Sequence, residues 1–317
     1  MGLVRSSAVG LTFVSLFSAA HAQDVREWLD RMNRAVEELN YEGTFVHVLG
    51  SKTETLHVVH RNESGQIGER LFSLDGVGRE IIRRQDRVQC ILPDRKVVLE
   101  ETKDASPLIS ALPNYSEQLE ENYRLKLLST ARVAGRRAQA VSITPIDDYR
   151  YGYILLLDEE TAMPLKSKIW DKNGEIVEQI LFTRIEFPEN IPVAALDATI
   201  STDGFTLLQA PKGHESLARG IPWKVTDLPQ GFRLSVTTHR PIAGSQYPVE
   251  HLVYSDGLAS VSVFIEDPKA DAEVTEGFSR VGSTNTFSVT LEGRTVTAVG
   301  EVPRRTVEQI ATSVRTE

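Results

Sequence analysis

The sequence is poor in cysteine: its 317 residues include one, Cys90, so no disulfide can form within the chain. Stability must therefore come from apolar burial, hydrogen bonding and self-association. Cys90 sits in the apolar run Val88-Gln-Cys-Ile-Leu, which is typical of a strand. We interpret its thiol as buried and inert, and a reactive thiol is the alternative.

Long apolar runs are also missing beyond the first residues, since no later segment approaches the roughly 18 apolar residues that span a bilayer. Residues 1–22 are the exception, because they contain an apolar run. Arg5 precedes an uncharged apolar run, and Ala20-His21-Ala22 then supplies an A-x-A cleavage site before Gln23. No cysteine stands at that site, which argues against a lipid anchor. We predict a secretory signal peptide and a periplasmic protein.

Basic residues are in the minority, with 35 against 44 acidic ones and a net charge of −9. This balance argues against a nucleic-acid partner and against general adhesion to anionic membranes. Trp28, Trp170 and Trp223 do not interleave with basic residues as a single-strand nucleic-acid site requires, so we assign them to cores. Two arginine-rich stretches, 79–95 and 132–137, fit a solvated surface, and a site for an acidic partner or ligand is the alternative.

Catalytic motifs are absent as well: the sequence has no G-x-S-x-G, G-x-G-x-x-G, G-x-x-x-x-G-K-[ST] or H-E-x-x-H. His57 and His60 fall in a predicted strand, where residues three apart point to opposite faces and cannot share a metal ion. The adjacent Asp147 and Asp148 fit capping acids of a turn better than an acid–base pair. We therefore predict no catalytic residue, no metal site, no cofactor and no enzymatic activity.

The mature chain opens with a predicted amphipathic helix over residues 24–39, in which Asp24 is the expected N-cap. Acidic residues on its polar face favour packing on a sheet over lying on a membrane. Short strands with turn signals follow as far as residue 187, and one of them is predicted over residues 123–133. Because no long helices separate these strands, they should form antiparallel meanders.

The pattern predicts two domains of an α+β, mostly antiparallel fold: a large β domain at 23–187 and a smaller α+β domain at 221–317. Several prolines interrupt the regular spacing of strands in the segment 188–220, which is predicted to be a linker that contains one short strand. Strand signals then recur, and Pro303 opens a terminal helix.

One strand of the large domain, Tyr151-Gly-Tyr-Ile-Leu-Leu-Leu157, is apolar on both faces, whereas Leu165-Lys-Ser-Lys-Ile169 alternates. The sheet should thus be covered on both sides here, by a second protein layer, a partner or an apolar ligand. Ordinary core is one interpretation of the inward residues, and a lipid-binding cavity is the other. The candidate lipid-binding residues are Leu155, Leu157, Leu165 and Ile169.

A series of motifs follows in a fixed order along both predicted domains. The large-domain motifs are Tyr41-Glu-Gly-Thr-Phe-Val46, Glu69-Arg-Leu-Phe-Ser-Leu-Asp-Gly76, Val133-Ala-Gly-Arg136, Tyr149-Arg-Tyr-Gly-Tyr153 and Pro164-Leu-Lys-Ser167. The small-domain motifs are Asp227-Leu-Pro-Gln-Gly-Phe232, Tyr254-Ser-Asp-Gly-Leu-Ala-Ser-Val-Ser-Val-Phe-Ile265 and Val299-Gly-Glu-Val-Pro303. In this order the motifs resemble the RseB/MucB regulators of the sigma-E envelope stress response, and the resemblance covers essentially the whole mature chain.

The resemblance implies a periplasmic, non-enzymatic protein whose large domain is an unclosed β-barrel like those of the lipoprotein carriers LolA and LppX. It further implies binding to the periplasmic region of an RseA/MucA-like anti-sigma factor, protection of that factor from the site-1 protease, and release by lipid or lipopolysaccharide fragments. We expect the partner's contacts in the small domain and linker, and self-association is a further expectation. A periplasmic lipid or lipoprotein carrier is the alternative function.

Overall fold

The computed structural model describes residues 16–85, 87–102, 119–209, 216–217, 222–241, 248–267 and 276–316. The first half of the large unit comprises α1 (Leu16–Glu38), β1 (Tyr41–Leu49), β2 (Lys52–Glu63), β3 (Gln66–Ser73), β4 (Glu80–Arg84), β5 (Arg87–Leu92) and β6 (Val97–Thr102). Its second half comprises α2 (Leu119–Asn122), β7 (Tyr123–Leu127), β8 (Ala131–Val133), β9 (Arg136–Pro145), β10 (Gly152–Asp158), β11 (Pro164–Trp170), β12 (Ile176–Glu186) and β13 (Thr206–Gln209).

The small unit comprises β14 (Ser216–Leu217), β15 (Trp223–Val225), β16 (Arg233–Pro241), β17 (Pro248–Ser255), β18 (Ser260–Glu266), β19 (Gly277–Val281), β20 (Thr284–Leu291), β21 (Arg294–Gly300), α3 (Arg304–Thr312) and β22 (Val314–Thr316). Its main sheet has the order β14-β16-β17-β18-β21-β20-β19, and β15 pairs with β22 beside it. The helix α3 buries Val307, Ile310 and Ala311 against this sheet. Val314, the first residue of β22, is buried in the same cluster.

The large sheet runs β13-β6-β5-β4-β3-β2-β1-β12-β11-β10-β9-β7, with β8 paired to β9. All of its strand pairs are antiparallel except the parallel pair of β13 with β6. Its two ends, β13 and β7, do not pair with each other, so the sheet stays open. The predicted α+β class with an unclosed antiparallel sheet is confirmed. The single strand predicted over residues 123–133 was wrong, because the chain bends after Leu127 and β7 and β8 pair separately with β9.

The helix α1 lies across the large sheet and buries Val25, Leu29 and Met32 at three- and four-residue spacing. The prediction that Asp24 caps this helix was wrong, because the helix passes through Asp24 from Leu16. The preceding residues, Leu-Phe-Ser-Ala-Ala-His-Ala, include three alanines, the best helix former, and hold no helix breaker.

The segment that we predicted as linker is packed on the large sheet in its first part. Ile191 and Leu196 are buried against Val59 of β2. The backbone N–H of Thr199 donates to the buried carboxylate of Glu80 at 3.0 Å. Residues 206–209 then extend the sheet as β13. The chain between residues 188 and 209 therefore belongs structurally to the large unit.

Candidate functional site at the domain contact

Three of the motifs quoted above meet where the two domains touch, at a buried ion pair between Arg150 and Asp256 that Phe232 adjoins. Both side chains have no exposed surface, and Nε of Arg150 donates to Oδ2 of Asp256. The hydroxyl of Tyr123 donates to the same oxygen at 3.1 Å. The Arg150 guanidinium also lies over the ring of Phe232, at 4.8 Å from its centre. Two opposite charges removed from water together hold the domains in one relative position.

Each member of the pair is positioned by its own turn. Oδ1 of Asp256 accepts the backbone N–H groups of Leu258 at 2.9 Å and Ala259 at 2.7 Å, which fixes the carboxylate. Arg150 follows a turn in which Oδ1 of Asp147 accepts the N–H of Tyr149 at 2.9 Å. The predicted capping role of Asp147 is thus confirmed, and its other oxygen accepts a bond from Arg150.

A second polar contact lies beside the pair, at the end of β10. Nδ2 of Asn285 donates to the hydroxyl of Tyr151 at 2.8 Å and to the carbonyl of Val302 at 2.6 Å. Further out, Thr306 donates to the carbonyl of Tyr149 at 2.7 Å. The bonds to Tyr151 and Tyr149 thus join the 149–153 motif to two separate stretches of the small domain.

A third contact centres on Glu178 of β12, which accepts bonds from Ser283 Oγ at 2.5 Å and from His47 Nε2 at 2.8 Å. Burial alone would raise the pKa of the Glu178 carboxyl, but these hydrogen bonds outweigh it and hold that pKa below its usual value. Burial, and then the charge of Glu178, raise the pKa of the nearby Glu301. Of Glu178 and Glu301, Glu178 is therefore the carboxyl group whose negatively charged form is favoured.

Gly231 of the small domain lies directly against Asn122 of the large domain. Its φ is +87°, and a Cβ built there would stand 2.3 Å from Oδ1 of Asn122. We expect Gly231→Ala to lower the free energy of unfolding, because it adds a steric cost of about 1–3 kcal/mol to the backbone strain. Gly293→Ala is the matched control, since Gly293 has a φ of +74° and nothing within 4 Å of its Cβ position. Denaturant unfolding of both variants checks this, and equal losses would contradict it.

The four residues predicted to bind lipid are all buried. Leu155, Leu157 and Leu165 have no exposed surface, and Ile169 is 5% exposed. Leu155, Leu157 and Ile169 share one apolar cluster with the α1 residues, and Leu165 lies in the neighbouring cluster with Phe182. The structure thus brings three of them together beneath α1.

The two histidines of β2 point to opposite faces, as predicted. His57 is partly exposed beside Thr44, whereas His60 is buried and bonds the carbonyl of Leu39 through Nδ1. Burial lowers the pKa of His60 to about 4, and the charge of Arg83 acts in the same direction. Across the described ranges, no group of three His, Cys, Asp or Glu residues is arranged to hold a metal ion. Cys90 is partly buried, which raises the pKa of its thiol.

The arginine-rich stretches turn out to be largely neutralised. The prediction of a solvated face was wrong for Arg83, which is 1% exposed and lies 2.7 Å from the carboxylate of Glu69. The two residues are direct cross-strand partners, so the carboxylate compensates the buried charge. The remaining ion pairs of these stretches in the described residues are Arg79–Glu54, Arg84–Asp197, Arg87–Glu100, Arg95–Asp94, Arg136–Asp158, Arg136–Glu160 and Arg137–Glu159.

Sequence reasoning did not identify the domain contact. Arg150 and Asp256 stand in the motifs that carried the family resemblance, but no local pattern pairs residues so far apart in the chain. The available signal was the presence of charged residues within otherwise apolar motifs, which suggests buried and paired charges. In the part of the chain that the structure describes, no helix is long and apolar enough to span a membrane.

Fold and contact define a two-domain, sheet-rich binding scaffold. The family model of the MucB/RseB N-terminal domain matches residues 24–200, and that of the MucB/RseB C-terminal domain matches residues 218–315. The chain belongs to the MucB/RseB family, which confirms the resemblance found in the sequence.

Relatives of the chain are similar over nearly its whole length. The sigma factor AlgU regulatory protein MucB of Pseudomonas aeruginosa is 34% identical, covering 99% of this chain and 98% of that protein. The sigma-E factor regulatory protein RseB of Haemophilus influenzae is 26% identical, covering 98% of each. A solved complex of Pseudomonas aeruginosa MucA and MucB contains a chain that is 33% identical, with a TM-score of 0.72, covering 93% of this chain and 99% of that one. These relatives are named as regulatory proteins.

Proposed function

We propose that the chain is a periplasmic negative regulator that binds the periplasmic region of a membrane anti-sigma factor. Bound there, it shields that region from the site-1 protease and keeps the sigma factor sequestered. The observation that carries this proposal is the similarity of both domains, in order, to a MucB chain solved together with MucA. The buried domain contact supports it, because a fixed arrangement of domains offers one continuous surface to an extended segment.

The partner's binding surface is proposed on the small domain and on the 188–220 segment. One feature of that segment supports this choice: β13 is an edge strand of the large sheet, with Leu207 52% and Leu208 49% exposed. An edge strand offers free backbone groups to which an extended peptide can add as a further strand. Such a segment would gain order on binding, so its affinity reflects the cost of that ordering.

Release by a lipid or lipopolysaccharide fragment is the second part of the proposal. Leu155, Leu157, Leu165 and Ile169 are the proposed lining residues. Three of them lie under α1, where a displaced helix would expose them, and Leu165 lies in the neighbouring cluster. An acyl ligand can weaken partner binding only if it favours a state that binds the partner less well. A lipid or lipoprotein carrier remains the alternative function, and mass spectrometry of extracted ligands tests it: stoichiometric lipid in a protein that ignores the anti-sigma segment would favour the carrier.

The experiment is a protection assay with the periplasmic region of MucA and the site-1 protease. We expect the unmodified protein to slow cleavage strongly. Leu207→Lys/Leu208→Lys should weaken protection by about tenfold or more, since charges at a buried interface core are unfavourable. Leu74→Lys is the control, because Leu74 is 52% exposed and lies in a turn after β3. Unchanged cleavage with the unmodified protein would overturn the proposal, and equal effects of the two variants would overturn the assigned surface.

A further inference from the structure

The outer face of the large sheet, on the side away from α1, carries a second feature. In β7, β9, β10 and β11 the residues that face α1 alternate with residues that face outward. Cross-strand partners share a face, and Lys126, Ser142, Ile154 and Lys168 are consecutive partners across these strands. Lys166 belongs to the next outward row, opposite Leu156. We call the outward residues of these four strands the outer face.

The outer face is cationic, although the protein as a whole is acidic. Its charged side chains are the four cations Arg124, Lys126, Lys166 and Lys168 and, at the far end, the ion pair of Arg136 with Asp158. None of the four cations has an ion-pair partner among the described residues. Most arginines of the stretches 79–95 and 132–137 form ion pairs with acids. These four cations come from two strands, so the sequence does not show them as a cluster. Burial, and then the charge of Lys168, lower the pKa of Lys166, as expected for uncompensated neighbours.

The spacing of the four cations fits a surface better than a single small anion. Adjacent strands lie about 4.8 Å apart, so Lys126 and Lys168 are separated by three steps, or about 14 Å. Two residues along one strand are about 7 Å apart. Arg124 and Lys166 lie on opposite sides of the row that joins Lys126 to Lys168, so the four charges outline an oblique quadrilateral. The small polar Ser142 and the apolar Ile154 lie between Lys126 and Lys168. No single phosphate could reach every corner of it.

Two further properties select the occupant. The central strands β9, β10 and β11 are hydrogen-bonded on both sides, so an acidic peptide lying on this face would gain no backbone bonds. The indole of Trp170 lies across Gly152 at one end of the face, where a Cβ on that glycine would come within 2.2 Å of the ring. Cations around the partly exposed Ile154, with a tryptophan at the margin, are a composition that suits the headgroup region of a bilayer.

We propose that the outer face docks on an anionic phospholipid surface through Arg124, Lys126, Lys166 and Lys168. This site is separate from the apolar groups beneath α1 and does not rest on the proposed function. The contact is weak and reversible, because each cation near an anionic surface strengthens binding by about fivefold. Docked in this way, the protein would present its open sheet edges sideways along the membrane.

The test is cosedimentation of the processed chain, residues 23–317, with vesicles of phosphatidylglycerol and phosphatidylcholine in equal parts. We expect binding at low salt, none to pure phosphatidylcholine, and loss at about 1 M salt, where the Debye length is about 3 Å. Replacing all four cations by glutamine should lower the partition coefficient by about a hundredfold or more. The charge-matched control is K52Q/R95Q/R132Q/R137Q, whose four residues are exposed elsewhere on the large domain, and it should retain most of the binding.

A second readout fixes the orientation. Brominated phosphatidylglycerol should quench tryptophan fluorescence through Trp170, and Trp170→Phe should remove most of that quenching without weakening cosedimentation by more than a few-fold. Thermal melting confirms that each variant is folded. Failure to bind phosphatidylglycerol at low salt, equal losses in the quadruple variant and its control, or binding only to polyglutamate would each overturn the proposal. Full quenching in Trp170→Phe would overturn the assigned face.

Discussion

Replacing Asp256 by asparagine is expected to lower the free energy of unfolding by about 3–5 kcal/mol, because it leaves the buried Arg150 without its main counter-charge. Asparagine keeps an oxygen that can accept the N–H groups of Leu258 and Ala259, so the local turn is retained. What is lost is the charge that faces the guanidinium across the domain contact. Denaturant unfolding measures the change, and limited proteolysis should show faster cleavage between the domains.

The control is an exposed ion pair at the same contact. Asp148 lies 3.4 Å from Arg305, and the two side chains are 50% and 47% exposed. Asp148→Asn should therefore cost less than about 1 kcal/mol, since water already screens that pair. If the two asparagine variants were equally stable, the buried pair would not be what holds the domains together.

Replacing Leu155 by alanine is the second large expected effect, a loss of about 2–5 kcal/mol. Leu155 has no exposed surface and lies directly opposite Val141 in the sheet. Its truncation would leave a cavity beneath α1, where Leu29 and Met32 pack. Ile176→Ala is the control on the same sheet, because Ile176 is 51% exposed and should change stability by less than about 0.5 kcal/mol.

Unfolding by urea, followed by far-ultraviolet circular dichroism, compares these two variants. A loss for Leu155→Ala no larger than that of the control would mean that α1 does not press on this part of the sheet in solution. That outcome would count against core packing and in favour of an open cavity. The expected result leaves room for the proposed acyl ligand, which must then displace α1 to reach Leu155.

Much of the fold could be predicted because strand patterns are local. The short strands expected up to residue 187, and again in the small domain, are present in the structure, among them β3 (Gln66–Ser73), β5 (Arg87–Leu92) and β17 (Pro248–Ser255). The short strands β15 and β22 were missed, because Trp223 pairs with Thr316 from far along the chain. No local pattern in a three-residue strand reveals such pairing.

The candidate site was less predictable, for the same physical reason. An arginine such as Arg83 or Arg150 looks solvent-exposed until its partner is known, and the partners come from other strands or from the other domain. The cations of the outer face were missed for a different reason. Lys166 and Lys168 alternate with apolar residues in an ordinary strand, and only the register brings Lys126 to the same side.

The two edge strands of the large sheet also differ in how readily a strand of another chain can pair with them. The edge strand β7 carries Arg124 and Lys126, and charged side chains on an edge strand disfavour pairing with a strand of another chain. The other edge strand, β13, carries Leu207 and Leu208 with no charged residue among its four. A strand from another chain can therefore extend the sheet more readily at one edge than at the other. The positive charges of β7 disfavour such pairing, whereas the apolar side chains of β13 favour it.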